Sequence, residues 1–319
     1  MRSAKKISII TACHNEQENI IELYERLVRV LSLLAPDFEI IYVDNASSDN
    51  SRQIYRDLCQ KDRRVKVIIM SRNFNSSQYS FLAGLKYCTG DCAVIMDGDL
   101  QDPPEVIPKL FEKWQEGYEV AYGVRVRRRG NLFRRFCYKA FYRVFKKMAY
   151  VNIPLDAGDF SLIDRIIIDE IKKFEEKDLY LRGIRSYIGF SQIGVDYIRD
   201  SRNKGKAETS FFTDLKWAKN LIVNFSFKPL EWISKLAFIV VLTSLAGIAT
   251  ELVFFFTVQR PPGMPTIVMS ILFFGGVQLL CLSVIGEYLA KIFQEVKNRP
   301  RYIIQEIINN NQDNIKQDT

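Results

Sequence analysis

Histidine is almost missing from this chain: His14 is the only one in 319 residues. That scarcity speaks against a zinc site of the usual His/Cys type and against a Ser-His-Asp triad. The six cysteines include no C-x-x-C pair, and the closest two, Cys88 and Cys92, fall on a helix-like run and on a strand. Reduced structural thiols are the expected reading, and with them a reducing compartment for the soluble part. No G-x-G-x-x-G follows the first apolar run, so a dinucleotide-binding fold has little support. The opening, Met1-Arg-Ser-Ala-Lys-Lys6, runs straight into a strand, and no signal peptide is expected.

What is present begins with charge and core. The formal net charge is +8 and hydrophobic residues make up 48% of the chain. A basic balance suits nucleic acid, an anionic membrane surface or a phosphorylated substrate, and says nothing about fold. Lys6 to Ala12 is a β-branched apolar run, and Ile20, Leu23, Leu27, Leu31 and Leu34 then recur at helical period within Glu16 to Leu34. Phe38 to Val43, Val65 to Met70, Ala93 to Met96 and Glu119 to Tyr122 read as further strands, with helices over Ser51 to Gln60 and Ser77 to Tyr87. This alternation predicts a mostly parallel sheet with helices on both faces. Ligands of such sheets bind beyond the carboxyl ends of the strands. Glu16, Asp44, Ser71-Arg72 and Asp97/Asp99 all fall just after strand ends, so separate stretches of sequence converge on one edge.

The centre of that edge is Val94-Ile-Met-Asp-Gly-Asp-Leu-Gln-Asp-Pro-Pro-Glu105. Two carboxylates one residue apart at a strand end repel each other unless a cation lies between them. Gly98 between them leaves the backbone open to a ligand. Hard oxygen ligands of this kind suit Mg²⁺ or Mn²⁺, with the rest of the shell from water and substrate phosphates. A bare Asp-x-Asp is more often a solvated acidic turn; the converging strand ends favour the metal.

From Arg125 the composition changes. Arg125, Arg127, Arg128, Arg129, Arg134, Arg135, Lys139 and Arg143 alternate with Phe133, Phe136, Tyr138, Phe141 and Tyr142. A nucleic-acid patch, a solvated helix face and a basic aromatic helix at a membrane surface all fit. The last third decides for the membrane. Leu236 to Val258 carries one charge, Glu251, and Thr266 to Ile285 carries none. Each is long enough to cross a hydrocarbon core of ~30 Å. The connection, Gln259 to Pro265, holds Pro261-Pro262 and Pro265, which predicts a hairpin. Lys228 and Lys235 precede it and Lys291, Lys297, Arg299 and Arg301 follow it, against Arg260 alone in the loop. The positive-inside rule then puts both termini in the cytoplasm. Phe211, Phe212, Leu215, Ala218 and Ile222 predict an interfacial helix before the first span. Glu251 in mid-membrane calls for a protein partner, and with Gly275-Gly276 in the next span it predicts a homo-oligomer. The tail after Ile308 is polar and is expected to be disordered.

Five motifs follow in order: Ile9-Ile-Thr-Ala-Cys-His-Asn-Glu16, Val43-Asp-Asn-Ala-Ser-Ser-Asp-Asn-Ser51, Ser71-Arg-Asn-Phe74, Met96-Asp-Gly-Asp-Leu-Gln-Asp-Pro-Pro-Glu105 and Gly158-Asp-Phe160. Together they resemble the inverting GT-A glycosyltransferases that charge polyprenyl phosphates, the dolichol-phosphate mannose synthase-like enzymes. The two spans, Gly286-Glu-Tyr288 and Arg299-Pro-Arg-Tyr302 are similar to the bacterial GtrB-type undecaprenyl-phosphate glucosyltransferases. The resemblance covers nearly the whole chain. It implies a Rossmann-like GT-A domain over 1–208, interfacial helices over 209–235, two transmembrane helices within 236–289, and a cytoplasmic juxtamembrane helix and tail over 290–319. It implies transfer of a hexose, glucose first, from a nucleotide sugar, UDP-glucose first, to undecaprenyl or another polyprenyl phosphate at the bilayer. GDP-mannose and UDP-aminosugars are the alternative donors.

The same resemblance implies roles. Asp97 and Asp99 hold the metal on the diphosphate with Gln101 beside it, Arg125 meets a phosphate, and Asp156 or Asp159 acts as base or orients sugar hydroxyls. The donor set is Ala12, His14, Glu16, Asp44, Arg72, Gly98, Arg199, Arg202 and Lys206, with Glu16 and Asp44 on base and ribose and the two arginines on a loop closing over the donor. Arg134 and Tyr138 meet the lipid phosphate. The chain departs from the family in places. Ala12 and His14 stand where Pro and Tyr are usual, Asn45 follows Asp44 in place of a second Asp, and Asn75 replaces a common Gly. After Gly205 the chain reads Lys206-Ala-Glu-Thr209 in place of Ser-Lys-Tyr, which leaves Lys204 or Lys206 for the closing lysine. Processive polysaccharide synthases carry Gln-x-x-Arg-Trp, and this chain has no such motif, so single transfer is expected. A non-catalytic anionic-lipid scaffold or a nucleic-acid binder gains nothing from converging Asp44, Asp97, Asp99 and Asp159.

Overall fold

The computed structural model describes residues 6–126, 157–177, 180–199, 226, 228–257 and 263–309. They divide into two compact units. One contains the sheet, its helices and the segment from Pro300; the other contains two long helices.

The sheet has eight strands: β1 (Lys6–Cys13), β2 (Asp37–Asp44), β3 (Val65–Met70), β4 (Cys92–Asp97), β5 (Val120–Arg125), β6 (Ala157–Asp164), β7 (Gln192–Tyr197) and β8 (Ile304–Ile308). Their order is β7-β5-β6-β4-β1-β2-β3-β8. β1 runs parallel to β2 and β4, β2 parallel to β3, and β5 parallel to β7. β6 runs antiparallel between β4 and β5, and β8 antiparallel beside β3. The chain steps from β1 outward through β2 and β3, then returns to place β4 on the other side of β1. That reversal makes a crevice between the carboxyl ends of β1 and β4, where open α/β sheets bind ligands. Ala12 and Asp97 are register partners there, and Cys13 pairs with Asp44.

The central strands are mostly apolar because both faces are covered. The buried polar exceptions include Ser8, Glu39 and Lys66, with Glu39 accepting from Ser8 Oγ at 2.7 Å and pairing with Lys66 at 3.6 Å. Ile7, Ile9, Ile40, Tyr42, Val94 and Met96 face one core with α1 (Ile20–Leu31), α2 (Ser51–Lys61) and α4 (Ile107–Gln115). Ile10, Ala12, Ile41, Val43, Ala93 and Ile95 face the other with α3 (Ser77–Tyr87), α5 (Arg165–Lys173) and α6 (Leu181–Ile188). Side chains that alternate along each strand thus fill two separate layers. Leu23 and Leu27 of α1 are fully buried, and truncating either to alanine would cost about 2–5 kcal/mol. The Asp164 carboxylate caps α5 by accepting from the Ile166 amide at 2.9 Å, and also accepts from the Trp114 indole at 2.7 Å.

Two boundaries differ from the sequence reading. α1 begins at Ile20, since Glu16 to Asn19 form a turn in which the Asn19 amide donates to the Glu16 carbonyl at 2.8 Å. The segment after the long helices is not only a helix and tail: Ile304–Ile308 is an edge strand of the sheet. Arg301 donates to the Phe174 carbonyl, Arg56 pairs with Glu306 at 2.7 Å, and the Asn309 amide group donates to the Arg63 and Val65 carbonyls at 3.0 and 2.7 Å.

In the second unit, α7 (Lys228–Thr257) and α8 (Met264–Val296) pack against each other. Both expected spans are therefore helical. Among the described residues, one segment, Phe273–Val296, is long and apolar enough to cross a membrane, so the two-span hairpin stands as an expectation. The basic aromatic stretch beyond Val126 and the interfacial helix expected from Phe211 to Ile222 lie outside the described residues.

Candidate active site

The carboxyl edge is laced together by side chains from the loops after β1, β2 and β3. The Asn15 amide donates to Ser47 Oγ at 2.9 Å, and Asn15 Oδ1 accepts from the Ser48 amide at 2.8 Å. His14 Nδ1 donates to the Asn45 carbonyl at 3.0 Å, which fixes the tautomer and leaves Nε2 to accept from Asn73 Nδ2 at 3.1 Å. Asn45 in turn donates to Asn73 Oδ1 at 3.0 Å and accepts from the Phe74 amide at 3.0 Å. The departure from paired Asp at this position thus has a local use: an amide can both donate and accept, and a carboxylate cannot. Asn15, Ala46 and Asn75 hold positive φ, as tight turns at strand ends require.

Asp44 sits beneath this lacework with no exposed surface. It accepts from the Ser47 amide and hydroxyl and pairs with Arg52 at 3.5 Å. Ala12 is buried at its strand end, Glu16 is half-buried and accepts from Asn19 Nδ2 at 2.5 Å, and Arg72 is exposed with its guanidinium 4.4 Å from the Phe74 ring centroid.

Across the crevice, Asp97 ends β4. A side chain at Gly98 would collide with Cys13 Sγ and come within 3.2 Å of the Ala12 carbonyl. The glycine is therefore required by the approach of β1, whatever it does for a ligand. Asp99 accepts from the Gln101 amide at 3.1 Å, and Leu100 between them has φ 59°. Asp102 is buried and accepts from the Tyr197 hydroxyl at 2.6 Å and from Arg199 Nε at 3.1 Å. The Arg199 fork lies 3.7 Å from Asp97. Arg125 donates through Nε to the Tyr197 hydroxyl at 3.4 Å and passes over Gly158. Asp159 pairs with Arg182 at 3.1 Å, while buried Arg185 donates to Ser161 Oγ and to the Gly158 carbonyl at 3.4 Å.

Charge is thus packed densely. Burial, and then the carboxylates of Asp102, Asp99 and Asp159, push the Asp97 pKa up from 3.8 to about 7 in spite of Arg199. Burial works against the Arg125 charge, but Asp102 and Tyr197 outweigh it and hold its pKa above the usual guanidinium value. Burial lowers Arg185 to about 10. Among the described residues, no group of three or more His, Cys, Asp or Glu is arranged to cage a metal unaided. A pair of crowded carboxylates, one of them strained toward its protonated form, fits an ion completed by ligand phosphates.

The structure brings together Ala12, His14, Glu16, Asp44, Arg72, Asp97, Gly98, Asp99, Gln101, Arg125, Asp159 and Arg199 along this edge. Arg134, Tyr138, Asp156, Arg202 and Lys206 lie outside the described residues. Sequence reasoning did not single out Asp102, Tyr197, Arg182 or Arg185 as site residues.

The model of glycosyl transferase family 2 matches residues 8–172, more than half of the chain, from within β1 through β6. The chain belongs to glycosyl transferase family 2. An uncharacterised glycosyltransferase of Bacillus subtilis is 39% identical over 300 residues, 93% of each chain. A prophage-derived bactoprenol glucosyl transferase of Shigella flexneri is 36% identical over 306 residues, 94% of this chain and 97% of that one. Among solved structures, glucosyl-3-phosphoglycerate synthase from Mycobacterium tuberculosis with Mn²⁺, UDP and phosphoglyceric acid is 18% identical with a TM-score of 0.45, over 69% of this chain and 76% of that one.

Proposed function

We propose that this glycosyltransferase moves glucose from UDP-glucose to a polyprenyl phosphate at the cytoplasmic face of a membrane, with inversion at the anomeric carbon. The observation that carries this reading is the pairing of Arg199 with Asp97 at the end of β4, beside β1, with Arg125 joined to the same cluster through Tyr197 and Asp102. The name of the Shigella relative, similar over nearly its whole length, supplies the acceptor and the sugar. The apolar helix segment Phe273–Val296 supports attachment to a bilayer.

Asp97 and Asp99 would hold a Mg²⁺ or Mn²⁺ ion, with Gln101 beside them. Such an ion, when bound, supplies positive charge where the leaving diphosphate gains negative charge. Arg125 is fixed by Tyr197 and stays charged, so it adds to that stabilisation without rearranging. His14, Asn45 and Asn73 present a pre-ordered polar floor for the nucleoside. Asp159, paired with Arg182, would accept from the sugar hydroxyls or act as base. A lipid phosphate is already anionic near neutral pH, so it needs placement by cations such as Arg134 more than deprotonation. Its oxygen attacks the anomeric carbon as the bond to the diphosphate breaks, which inverts that centre. Small residues such as Gly275 and Gly276 of α8 let a neighbouring helix approach closely, and among the described residues an added Cβ at either would meet nothing within 4 Å, which supports a homo-oligomer.

The test is a donor panel on purified protein in lipid with undecaprenyl phosphate, scoring glycolipid formed. UDP-glucose should give product. Product from GDP-mannose or a UDP-aminosugar alone would replace the donor, and no product from any donor would favour a lipid-binding scaffold.

A further inference from the structure

Arg199 makes two unequal contacts. Its Nε is held by Asp102 at 3.1 Å, and Asp102 is itself buried and tied to Tyr197. Its fork reaches Asp97 at only 3.7 Å, where the Asp97 side chain keeps 34% of its surface exposed. One end of the guanidinium is thus anchored, and the other leans loosely on the carboxylate that faces the crevice. The anchor is short and its carboxylate buried; the lean is longer and only partly covered. A partly exposed ion pair of this length contributes little, so a divalent cation would displace it readily.

We propose that Arg199 is a placeholder cation: in the donor-free enzyme it neutralises Asp97, and on metal binding it gives up that carboxylate and, still held by Asp102, turns its fork to the donor's diphosphate. Asp102 acts through Arg199 and is a positioning residue. The exchange keeps a cation against Asp97 in both states, so the crowded carboxylates of Asp97, Asp99 and Asp102 are never left uncompensated. It also makes metal and donor arrive as a pair. The metal alone must evict the arginine, whereas metal with a diphosphate gives that arginine a new partner. This rests on the metal being held by Asp97 and Asp99.

The experiment measures Mn²⁺ binding to the full-length protein by electron paramagnetic resonance, first without nucleotide and then with UDP. Arg199→Gln should bind Mn²⁺ alone about fivefold tighter, the size expected for losing one partly exposed competing ion pair. The same variant should bind UDP, at saturating Mn²⁺, roughly tenfold more weakly, as loss of one charge-assisted contact implies. Arg199→Lys, which restores the charge, should return Mn²⁺ affinity toward the wild type. Asp102→Asn should shift both affinities in the same direction as Arg199→Gln, and the double variant should add little to either single change. Unchanged or weaker Mn²⁺ binding by Arg199→Gln overturns the placeholder, and independent, additive effects of Asp102→Asn overturn the positioning role. Asp99→Asn separates the two readings. If it abolishes Mn²⁺ binding while Arg199→Gln changes nothing, only the placeholder fails; if it binds Mn²⁺ as the wild type does, the metal site fails and takes the placeholder with it.

Discussion

Asp44 and Ser47 are joined through both of the serine's donors: the Ser47 amide lies 3.1 Å from Asp44 Oδ1, and the Ser47 hydroxyl donates to the same oxygen. Ser47 Oγ also accepts from the Asn15 amide, so one serine ties the loop after β2 to the loop after β1. A carboxylate with no exposed surface supports this lacework from below. Asp44→Ala should therefore lower stability to urea by about 1–3 kcal/mol, the cost of leaving buried donors without their acceptor. It should weaken UDP binding in calorimetry as well. A loss of UDP affinity with a stability change below about 0.5 kcal/mol, the scale of an ordinary surface substitution, would show that Asp44 meets the nucleotide directly.

Asp99→Asn should keep the fold, as read by circular dichroism, and lower turnover by two to three orders of magnitude. One charge stabiliser at a reacting centre is worth ~3–4 kcal/mol. Undiminished turnover of this variant in excess chelator would remove Asp99 from the metal site.

The raised pKa of Asp97 has a definite sign. Its folded value of about 7 lies above the ordinary 3.8, so the folded state holds its proton over a range in which the unfolded chain has lost it. The contribution of Asp97 to stability is therefore largest below about pH 4 and is lost as pH rises toward 7. Asp97→Asn should remove this component from the pH dependence of unfolding in metal-free protein. Mn²⁺ affinity should rise with pH up to about 7 and then level off, because a ligand carboxylate must be ionised. A flat Mn²⁺ affinity between pH 5.5 and 7.5 would contradict both.

The basic stretch calls for a kinetic split. Arg134→Ala should raise the apparent KM for lipid phosphate more than that for the nucleotide sugar, since a phosphate held at an interface relies on guanidinium contacts. Weaker UDP binding by this variant in the absence of lipid would assign the arginine to the donor side.

Topology is tested by labelling. With both termini cytoplasmic, a cysteine placed at Gly263 should react with an impermeant probe on intact cells and one at Gln312 should not. The opposite pattern would invert the proposed orientation.

The strands that carry the site were legible because each central strand is mostly apolar and β-branched, and such runs end where the chemistry begins. Asp97, Asp99, Asp44 and Glu16 could be read from those ends alone. Asp102 was within the quoted motif but had no sequence signal of its own, because its partners arrive on β7, far along the chain. Tyr197, Arg182 and Arg185 were missed for a related reason. β6 runs antiparallel into the sheet and brings Gly158 and Asp159 to the carboxyl edge by their strand's start, and α6 then sets its arginines beside them. No periodicity announces such a meeting. The strand Ile304–Ile308 was also missed, since Ile-Gln-Glu-Ile-Ile has no clean alternation and becomes a strand only by pairing with β3.

That last strand sets an order of events during synthesis. β3 lacks its outer partner until β8 has been made, and β8 follows both long helices in the chain. A nascent chain that has already laid down β1 through β7 still carries a bare strand edge, with the backbone of Ser71 waiting for the carbonyl of Ile303. Unpaired edges invite association with other chains. The ribosome must therefore deliver the helices before the catalytic sheet is sealed, so a chain stopped after Val296 would keep every motif of the active site and still leave its sheet open along one side.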